Sequence, residues 1–359
     1  MKRRKIKRIV KIGDIQIGGE FPIRVQSMTN TPTKDWERTV SQIKRLEDAG
    51  CEIVRVSVPD EESARAIGKI KSKISIPLVA DIHFDYKLAL ISMEEGVDKL
   101  RINPGNIGAR QRVEVVVEKA KKYSIPIRVG VNSGSVPRDL LEKYGFPTPG
   151  ALVESALRHV KILEELEFYD IVISLKSSDV ITTVDAYEKI SEIVNYPLHI
   201  GITEAGTFLR GTVFSSVGLG ILLFNGIGDT LRVSLTDDPV REVEVGFAIL
   251  KSLKLRSAGV DVISCPTCAR CHVDVIELAK KVEKEFKGVG KNITIAVMGC
   301  EVNGPGEARE ADYGIAGGKS GVLVFKKGKI VKKVRYEECF EFLKKIIEGE
   351  EYEGSDSKG

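Results

Sequence analysis

The sequence predicts an α/β protein, a (β/α)8 barrel of the TIM type followed by a small α+β domain. Short apolar segments alternate eight times with amphipathic segments between residue 22 and about residue 235, close to the ~250 residues of a typical TIM barrel. Each apolar segment ends in polar residues, as strands do at a barrel mouth. The 359 residues exceed the length at which one core usually stops growing, so we expect a second domain.

The expected strands are four- or five-residue apolar segments, several of which follow a glycine or proline. They are Ile23–Ser27, Ile53–Ser57, Leu78–Asp81, Lys99–Ile102, Ile127–Val131, Ile171–Leu175, Leu198–Ile202 and Thr230–Ser234. The segments between them have helical spacing, as in Val40-x-x-Ile43-x-x-Leu46. A doubly wound open sheet is the alternative, but no Gly-x-Gly-x-x-Gly follows the first strand.

The strand ends carry polar side chains that would meet at one mouth. They are Gln26, Ser27, Arg55, Ser57, Asp81, His83, Arg101, Asn103, Arg128, Asn132, Ser174, Lys176, Ser177, Thr203, Glu204, Arg232 and Ser234. Four arginines and a lysine repel one another unless an anion compensates them, and guanidinium groups suit phosphate oxygens. The set therefore predicts a strongly anionic ligand, a diphosphate rather than a carboxylate. For any single cation, the alternative is an ion pair with a neighbouring acid.

Three of these strand-end residues are available for acid–base chemistry: Asp81, His83 and Glu204. For His83 the alternative is a hydrogen-bonded structural role.

The chain divides into residues 1–257, the barrel, residues 258–347, a second domain, and residues 348–359, a polar tail expected to be disordered. The second domain contains Cys265, Cys268 and Cys271 in one turn and Cys300 in a Gly-Cys-x-x-x-Gly-x-Gly segment. Thiolates at this spacing select zinc or an iron–sulfur cluster. A closed structural zinc site is the alternative to a reactive centre.

Composition limits the other possibilities. The net charge of +4 is too small to indicate nucleic-acid binding, and no apolar run reaches the ~20 residues of a membrane span. The basic residues Met1–Arg8 are followed by no signal-peptide core. We therefore expect a cytoplasmic protein without a membrane or nucleic-acid partner, whose clustered cysteines bind metal rather than form disulfides.

Six segments together resemble the bacterial 4-hydroxy-3-methylbut-2-enyl diphosphate synthase family of the non-mevalonate isoprenoid pathway. They are Val25–Thr31 (VQSMTNT), Ala80–Phe84 (ADIHF), Leu100–Asn106 (LRINPGN), Ile127–Ser135 (IRVGVNSGS), Ser264–Cys268 (SCPTC) and Gly299–Glu307 (GCEVNGPGE). The resemblance covers the chain except for about ten residues at its start and fifteen at its end.

The resemblance implies an oxidoreductase that opens 2-C-methyl-D-erythritol 2,4-cyclodiphosphate with two electrons from reduced flavodoxin or ferredoxin. It also implies a 4Fe-4S cluster held by Cys265, Cys268, Cys300 and Glu307. The family is a homodimer in which the cluster domain of one chain caps the barrel of the other. For the substrate site we expect Arg55, Arg101, Asn103, Arg128, Asn132, Lys176, Arg232 and Ser234, with Glu204, Asp81 and His83 as catalytic groups.

Cys271 departs from the family pattern. The run Cys-x-x-Cys-x-x-Cys by itself indicates a ferredoxin-like loop with Cys271 as a ligand, whereas the resemblance makes Cys271 a bystander. Two other functions remain open: a phosphate-ligand sensor with a structural zinc domain, and a pterin-type barrel transferase.

Overall fold

The computed structural model describes residues 1–256, 259–286, 292–301 and 310–349. The chain forms two compact units, Met1–Arg256 and Ser257–Gly359. The first contains an eight-stranded parallel sheet and the second a five-stranded mixed sheet. The predicted α/β class with a TIM-type barrel is confirmed.

A hairpin that the sequence analysis did not predict precedes the barrel. Its strands, β1 (Val10–Ile12) and β2 (Ile15–Ile17), pair antiparallel. The side chains of Val10, Ile12 and Ile17 form a buried cluster with Ile53, Val79 and Val172 from the barrel strands. The hairpin therefore closes the amino-terminal end of the barrel.

Eight parallel strands form the barrel. They are β3 (Arg24–Met28), β4 (Ile53–Ser57), β5 (Leu78–Asp81), β6 (Lys99–Ile102), β7 (Ile127–Asn132), β8 (Ile171–Lys176), β9 (His199–Ile200) and β10 (Thr230–Leu231). Strands β3 to β8 pair in chain order, and β10 pairs with both β3 and β9. A bridge between Ile173 and Leu198 joins β8 to the segment before β9. The ring is thus nearly closed.

The last two barrel strands are shorter than predicted, two residues each instead of five. After β9 the chain turns away, with Glu204 at φ +52° and Gly206 at φ +106°. The residues beyond these short strands leave the hydrogen-bonded ladder but still reach the mouth of the barrel.

Helices surround the barrel in the expected alternation. They are α1 (Trp36–Asp48), α2 (Glu61–Lys71), α3 (Tyr86–Glu94), α4 (Pro104–Ile107), α5 (Arg110–Tyr123), α6 (Arg138–Tyr144), α7 (Pro149–Glu165), α8 (Val180–Ile193), α9 (Phe208–Phe224) and α10 (Pro239–Ser252). Asp35, Asp60, Asp179 and Asp238 cap four of them, since each carboxylate accepts a hydrogen bond from a first-turn amide. No helix among the described residues is long and apolar enough to cross a membrane.

The second unit packs two helices on its sheet. Its elements are β11 (Val260–Ser264), α11 (Val275–Glu285), β12 (Ile293–Met298), β13 (Tyr313–Gly318), β14 (Gly321–Lys326), β15 (Lys329–Val334) and α12 (Tyr336–Glu348). Strands β11, β12 and β13 are parallel, and β14 and β15 continue the sheet antiparallel. The carboxyl ends of β11 and β12 therefore lie at one edge, where the cysteines follow.

Candidate functional site

A polar cavity of about 210 Å³ opens at the carboxyl ends of the barrel strands. Its lining residues are Arg55, Asp81, His83, Arg101, Arg128, Asn132, Ser174, Lys176, Thr203, Arg232 and Ser234. All of them belong to the strand-end set named from the sequence. Five cationic side chains and one carboxylate line the cavity, so its potential is positive and suits an anion.

Asp81 is the centre of the charged network. Its Oδ1 lies 3.1 Å from Nη1 of Arg101, and its Oδ2 lies 3.7 Å from Nε of Arg55 and 3.6 Å from Nε2 of His83. Burial raises the pKa of Asp81, but Arg55, His83 and Arg101 outweigh burial and hold that pKa well below its usual range. Asp81 is therefore ionised at neutral pH, which suits a fixed counter-ion better than a proton donor.

Arg101 is held across the neighbouring strand. Its Nη2 donates a hydrogen bond to the carbonyl oxygen of Gly130, 2.8 Å away. A Cβ at position 130 would lie only 2.4 Å from Nε of Arg101. Glycine at 130 thus provides the space in which the guanidinium of Arg101 lies.

Arg55 contacts a sulfur atom as well as Asp81. Its Nε and Nη2 lie 3.0 and 2.8 Å from Sδ of Met28. Burial lowers the pKa of Arg55 to about 10, although Asp81 acts in the opposite direction. Desolvation thus leaves Arg55 strongly disposed toward a further negative charge.

Arg128 and Lys176 are the deepest cations of the cavity. Arg128 is 1% exposed, and its Nε and Nη1 have no hydrogen-bond partner among the described residues. Lys176 Nζ lies 3.1 Å from Nε2 of His199, whose Nδ1 lies 2.8 Å from Oγ1 of Thr230. Burial, together with the neighbouring arginines, lowers the pKa of both Arg128 and Lys176. Unsatisfied buried donors of this kind are stabilised by an anion in the cavity.

Sequence reasoning missed two buried polar residues of the barrel interior and the partner of Lys176. Lys99 is fully buried, and its Nζ has no hydrogen-bond partner within the described chain; the same holds for both amide atoms of Gln26. Neither residue lines the cavity. The two-residue period of β6 carries the signal, because it directs Lys99 to the same side as Arg101. His199 was likewise covered by a predicted strand but not singled out.

Arg232 differs from the other cations because it has a dedicated acid. Its Nη2 lies 2.9 Å from Oε1 of Glu242, and Glu242 Oε2 accepts a hydrogen bond from Ser27 Oγ at 2.9 Å. For Arg232 the ion-pair alternative therefore holds, while its side chain still lines the cavity.

Asn103 and Glu204 lie outside the cavity lining. Asn103 is 3% exposed, and its Oδ1 accepts a hydrogen bond from the amide of Gly130 at 3.0 Å. Its position supports the strand that carries Arg128. Glu204 is exposed and has a left-handed backbone, a conformation that is uncommon outside glycine and often found at functional sites.

The second unit gathers thiols around Gly299. The Gly299 amide donates to Sγ of Cys265 at 3.2 Å, and a Cβ at 299 would lie 2.4 Å from Sγ of Cys271. Cys300 follows directly and is buried, whereas Cys268 is exposed. The turn is fixed by bonds from the Cys271 amide to the Cys268 carbonyl and from the His272 amide to the Gly299 carbonyl. The donor set and its convergence at one sheet edge fit a thiolate-bound metal centre.

The remaining expected ligand, Glu307, lies outside the described residues. Among the residues that are described, no group of three or more His, Cys, Asp or Glu side chains has the arrangement of metal ligands. Cys271 lies against Gly299, so its sulfur belongs to the same cluster of thiols as Cys265.

Two family models match almost the whole chain, the GcpE TIM-barrel domain over residues 7–247 and the GcpE protein C-terminal domain over residues 261–349. This chain belongs to the GcpE family. Its curated relatives include 4-hydroxy-3-methylbut-2-en-1-yl diphosphate synthase (flavodoxin) of Clostridium perfringens, 61% identical over 96% of this chain and 99% of the relative. The protein of that name from Caldanaerobacter subterraneus is 60% identical over 97% of this chain and 98% of its own length. The resemblance drawn from the motifs is confirmed.

Solved structures similar to this member of the GcpE family include dihydropteroate synthases. That of Yersinia pestis has a TM-score of 0.50 at 12% identity, covering 68% of this chain and 98% of the other. That of Xanthomonas albilineans gives 0.50 at 12%, covering 69% and 99%. At this identity the likeness concerns the barrel fold alone and does not support a pterin-type transferase activity.

Proposed function

We propose that this protein catalyses the reaction for which its relatives are named. It is an oxidoreductase that converts 2-C-methyl-D-erythritol 2,4-cyclodiphosphate to 4-hydroxy-3-methylbut-2-enyl diphosphate; two electrons enter and one oxygen atom leaves as water. The observation that carries this proposal is a cavity with five cations and one carboxylate, in a chain about 60% identical to those synthases over nearly its full length. A cyclic diphosphate supplies the negative charge that these side chains lack.

We assign the cavity residues by their surroundings. Arg55, Arg101, Arg128 and Lys176 bind the diphosphate oxygens, because Asp81 alone compensates them. Asn132, Arg232 and Ser234 line the same cavity and orient the substrate. Asn103 acts indirectly, by supporting the strand of Arg128 through Gly130.

Two groups remain for moving a proton to the leaving oxygen. The His83 side chain is 51% exposed and reaches the cavity beside Asp81, so it can exchange protons with solvent. Glu204, on its strained turn after β9, is the second group. Asp81, kept ionised, orients Arg101 and His83 instead of donating a proton.

The cofactor we propose is a 4Fe-4S cluster held by Cys265, Cys268, Cys300 and Glu307. When bound, such a cluster supplies single electrons and an iron able to bind a substrate oxygen. The convergence of Cys265, Cys271 and Cys300 near Gly299 supports a sulfur-rich centre in the second unit.

We further propose that the protein works in the cytoplasm as a homodimer with reduced flavodoxin or ferredoxin as donor. An apolar stripe on α9 supports self-association: Leu209, Val213, Val217 and Ile221 are 77%, 50%, 48% and 38% exposed. Residues four apart lie on one helix face, and continuous exposed apolar surface marks an interaction site.

The test is anaerobic turnover. Purified protein with reconstituted iron is given the cyclic diphosphate and dithionite, and products are followed by phosphorus magnetic resonance and mass spectrometry. We expect the linear allylic diphosphate. A protein that holds its cluster and binds the substrate but leaves it intact contradicts the proposal.

A further inference from the structure

The hairpin of the second unit carries an unusual excess of positive charge. Residues 313–335 contain seven basic residues and no Asp or Glu. They are Lys319, Lys326, Lys327, Lys329, Lys332, Lys333 and Arg335, and all seven are exposed. In the described parts of the chain, only Arg335 among them has a carboxylate at ion-pair distance, that of Glu338. Such a surface attracts an anionic partner.

Two local features bear on how the charge is used. Lysines on an edge strand prevent sheets from joining edge to edge, and β15 is an edge strand. Lys319 and Lys327, however, lie in turns, so edge protection does not account for the whole set. Three carboxylates of α12, Glu337, Glu338 and Glu341, line the hollow beside β15. The seven cations outnumber them, and the surface stays positive.

The register places one end of this basic hairpin beside the cysteines. Met298 is paired with Ala316, Gly318 with Gly321, and Val322 with Val334. The turn at Lys319 and the end of β15 therefore lie at the sheet edge where Cys265 and Cys300 follow their strands. Strands are about 4.8 Å apart, so β15 lies roughly 14 Å from β12.

We infer that Lys319, Lys333 and Arg335, the near end of the hairpin, form the docking site for an acidic electron-carrier protein. This inference rests on the proposed function, which requires a protein reductant. Charge complementarity steers the carrier to the edge that holds the thiols, where the path for an electron is short. Each docking transfers one electron from the reduced carrier, so one turnover oxidises two carriers by one electron each.

Two matched double variants test the site. Lys319→Glu with Lys333→Glu reverses the near end, and Lys327→Glu with Lys329→Glu makes the same charge change at the far end. The probe is reduced flavodoxin at about 0.15 M ionic strength. We expect the near-end variant to raise KM for flavodoxin about tenfold with kcat preserved, and the far-end variant to change it less than about threefold.

Dithionite-driven turnover separates this inference from the proposed function. It should be equal in both variants and the unsubstituted protein; its absence in the unsubstituted protein refutes the function itself. Lys333 Nζ donates to Ser320 Oγ at 2.5 Å, so Lys319→Gln with Lys333→Gln, which retains an amide donor, repeats the test if charge reversal prevents folding. Equal KM changes at both ends, an unchanged KM at the near end, or a changed oligomeric state in sedimentation each overturns the assignment.

Discussion

Nζ of Lys176 lies 3.1 Å from Nε2 of His199, inside the barrel and out of contact with solvent. Burial, with Lys176 adjacent, holds the pKa of His199 well below its usual range, so the imidazole is neutral. An ammonium at Lys176 donates to Nε2, and the proton on Nδ1 then donates to Thr230 Oγ1. His199 is thus the residue that positions Lys176.

We predict that His199→Leu weakens diphosphate binding, whereas His199→Gln, which keeps an acceptor, retains most of it. Loss of the acceptor leaves Lys176 and Thr230 unpaired, a cost of about 1–3 kcal/mol each. Calorimetric titration with inorganic diphosphate measures the affinity without turnover. Equal affinities of the two variants would contradict the positioning role.

Binding of a diphosphate should take up protons. Burial lowers the pKa values of Lys176 and Arg128 in the empty cavity, which disfavours their cationic forms. A bound anion favours the cations and raises these pKa values, so affinity falls as pH rises through the pKa of the empty protein. Calorimetry in buffers of different ionisation enthalpy gives the proton uptake. Lys176→Met should reduce that uptake, while Lys189→Met, on the surface helix α8, should leave it unchanged.

Asp81→Asn should destabilise the empty protein and make it depend on anions. Removing the carboxylate leaves Arg55 and Arg101 without their compensating charge, a change that costs about 3–5 kcal/mol for buried pairs. Added diphosphate should restore much of the loss in thermal unfolding. If Asp81→Asn unfolds at the same temperature as the unsubstituted protein, Asp81 is not the counter-ion of this cavity.

Val213→Glu with Val217→Glu should convert a dimer into monomers, because two charges then interrupt the apolar face of α9. Ile181→Glu is the control, an isolated residue of α8 that is 64% exposed. Sedimentation velocity distinguishes the species. A monomeric unsubstituted protein would refute the homodimer.

Cys271→Ser should keep four irons, and Glu307→Ala should yield a centre that readily loses one. The reason is that three thiolates and one carboxylate are the proposed ligands, and an oxygen ligand is the one that a substrate oxygen displaces. Iron counting and electron paramagnetic resonance on both variants decide. The reverse outcome would make Cys271 the ligand, consistent with its position against Gly299.

Much of the mouth could be predicted from the sequence, because strand ends are local features. A strand followed by a helix delivers its last polar residue to the same face of the barrel in every repeat, so Arg55, Asp81 and Arg101 met as expected. The two-residue strands β9 and β10 and the hairpin β1–β2 were not predicted. Their extent depends on pairing with distant segments rather than on their own residues.

The sequence by itself determined the barrel, the cysteine-bearing second unit and the kinds of charge at the mouth, since alternation and residue type are local properties. Only the tertiary structure decided which charges are compensated. Arg232 is paired by Glu242 from α10, Lys176 is paired by His199 from a neighbouring strand, and Arg128 keeps unpartnered donors among the described residues. Such partners lie far apart in sequence, and the closing of the ring brings them within hydrogen-bond distance.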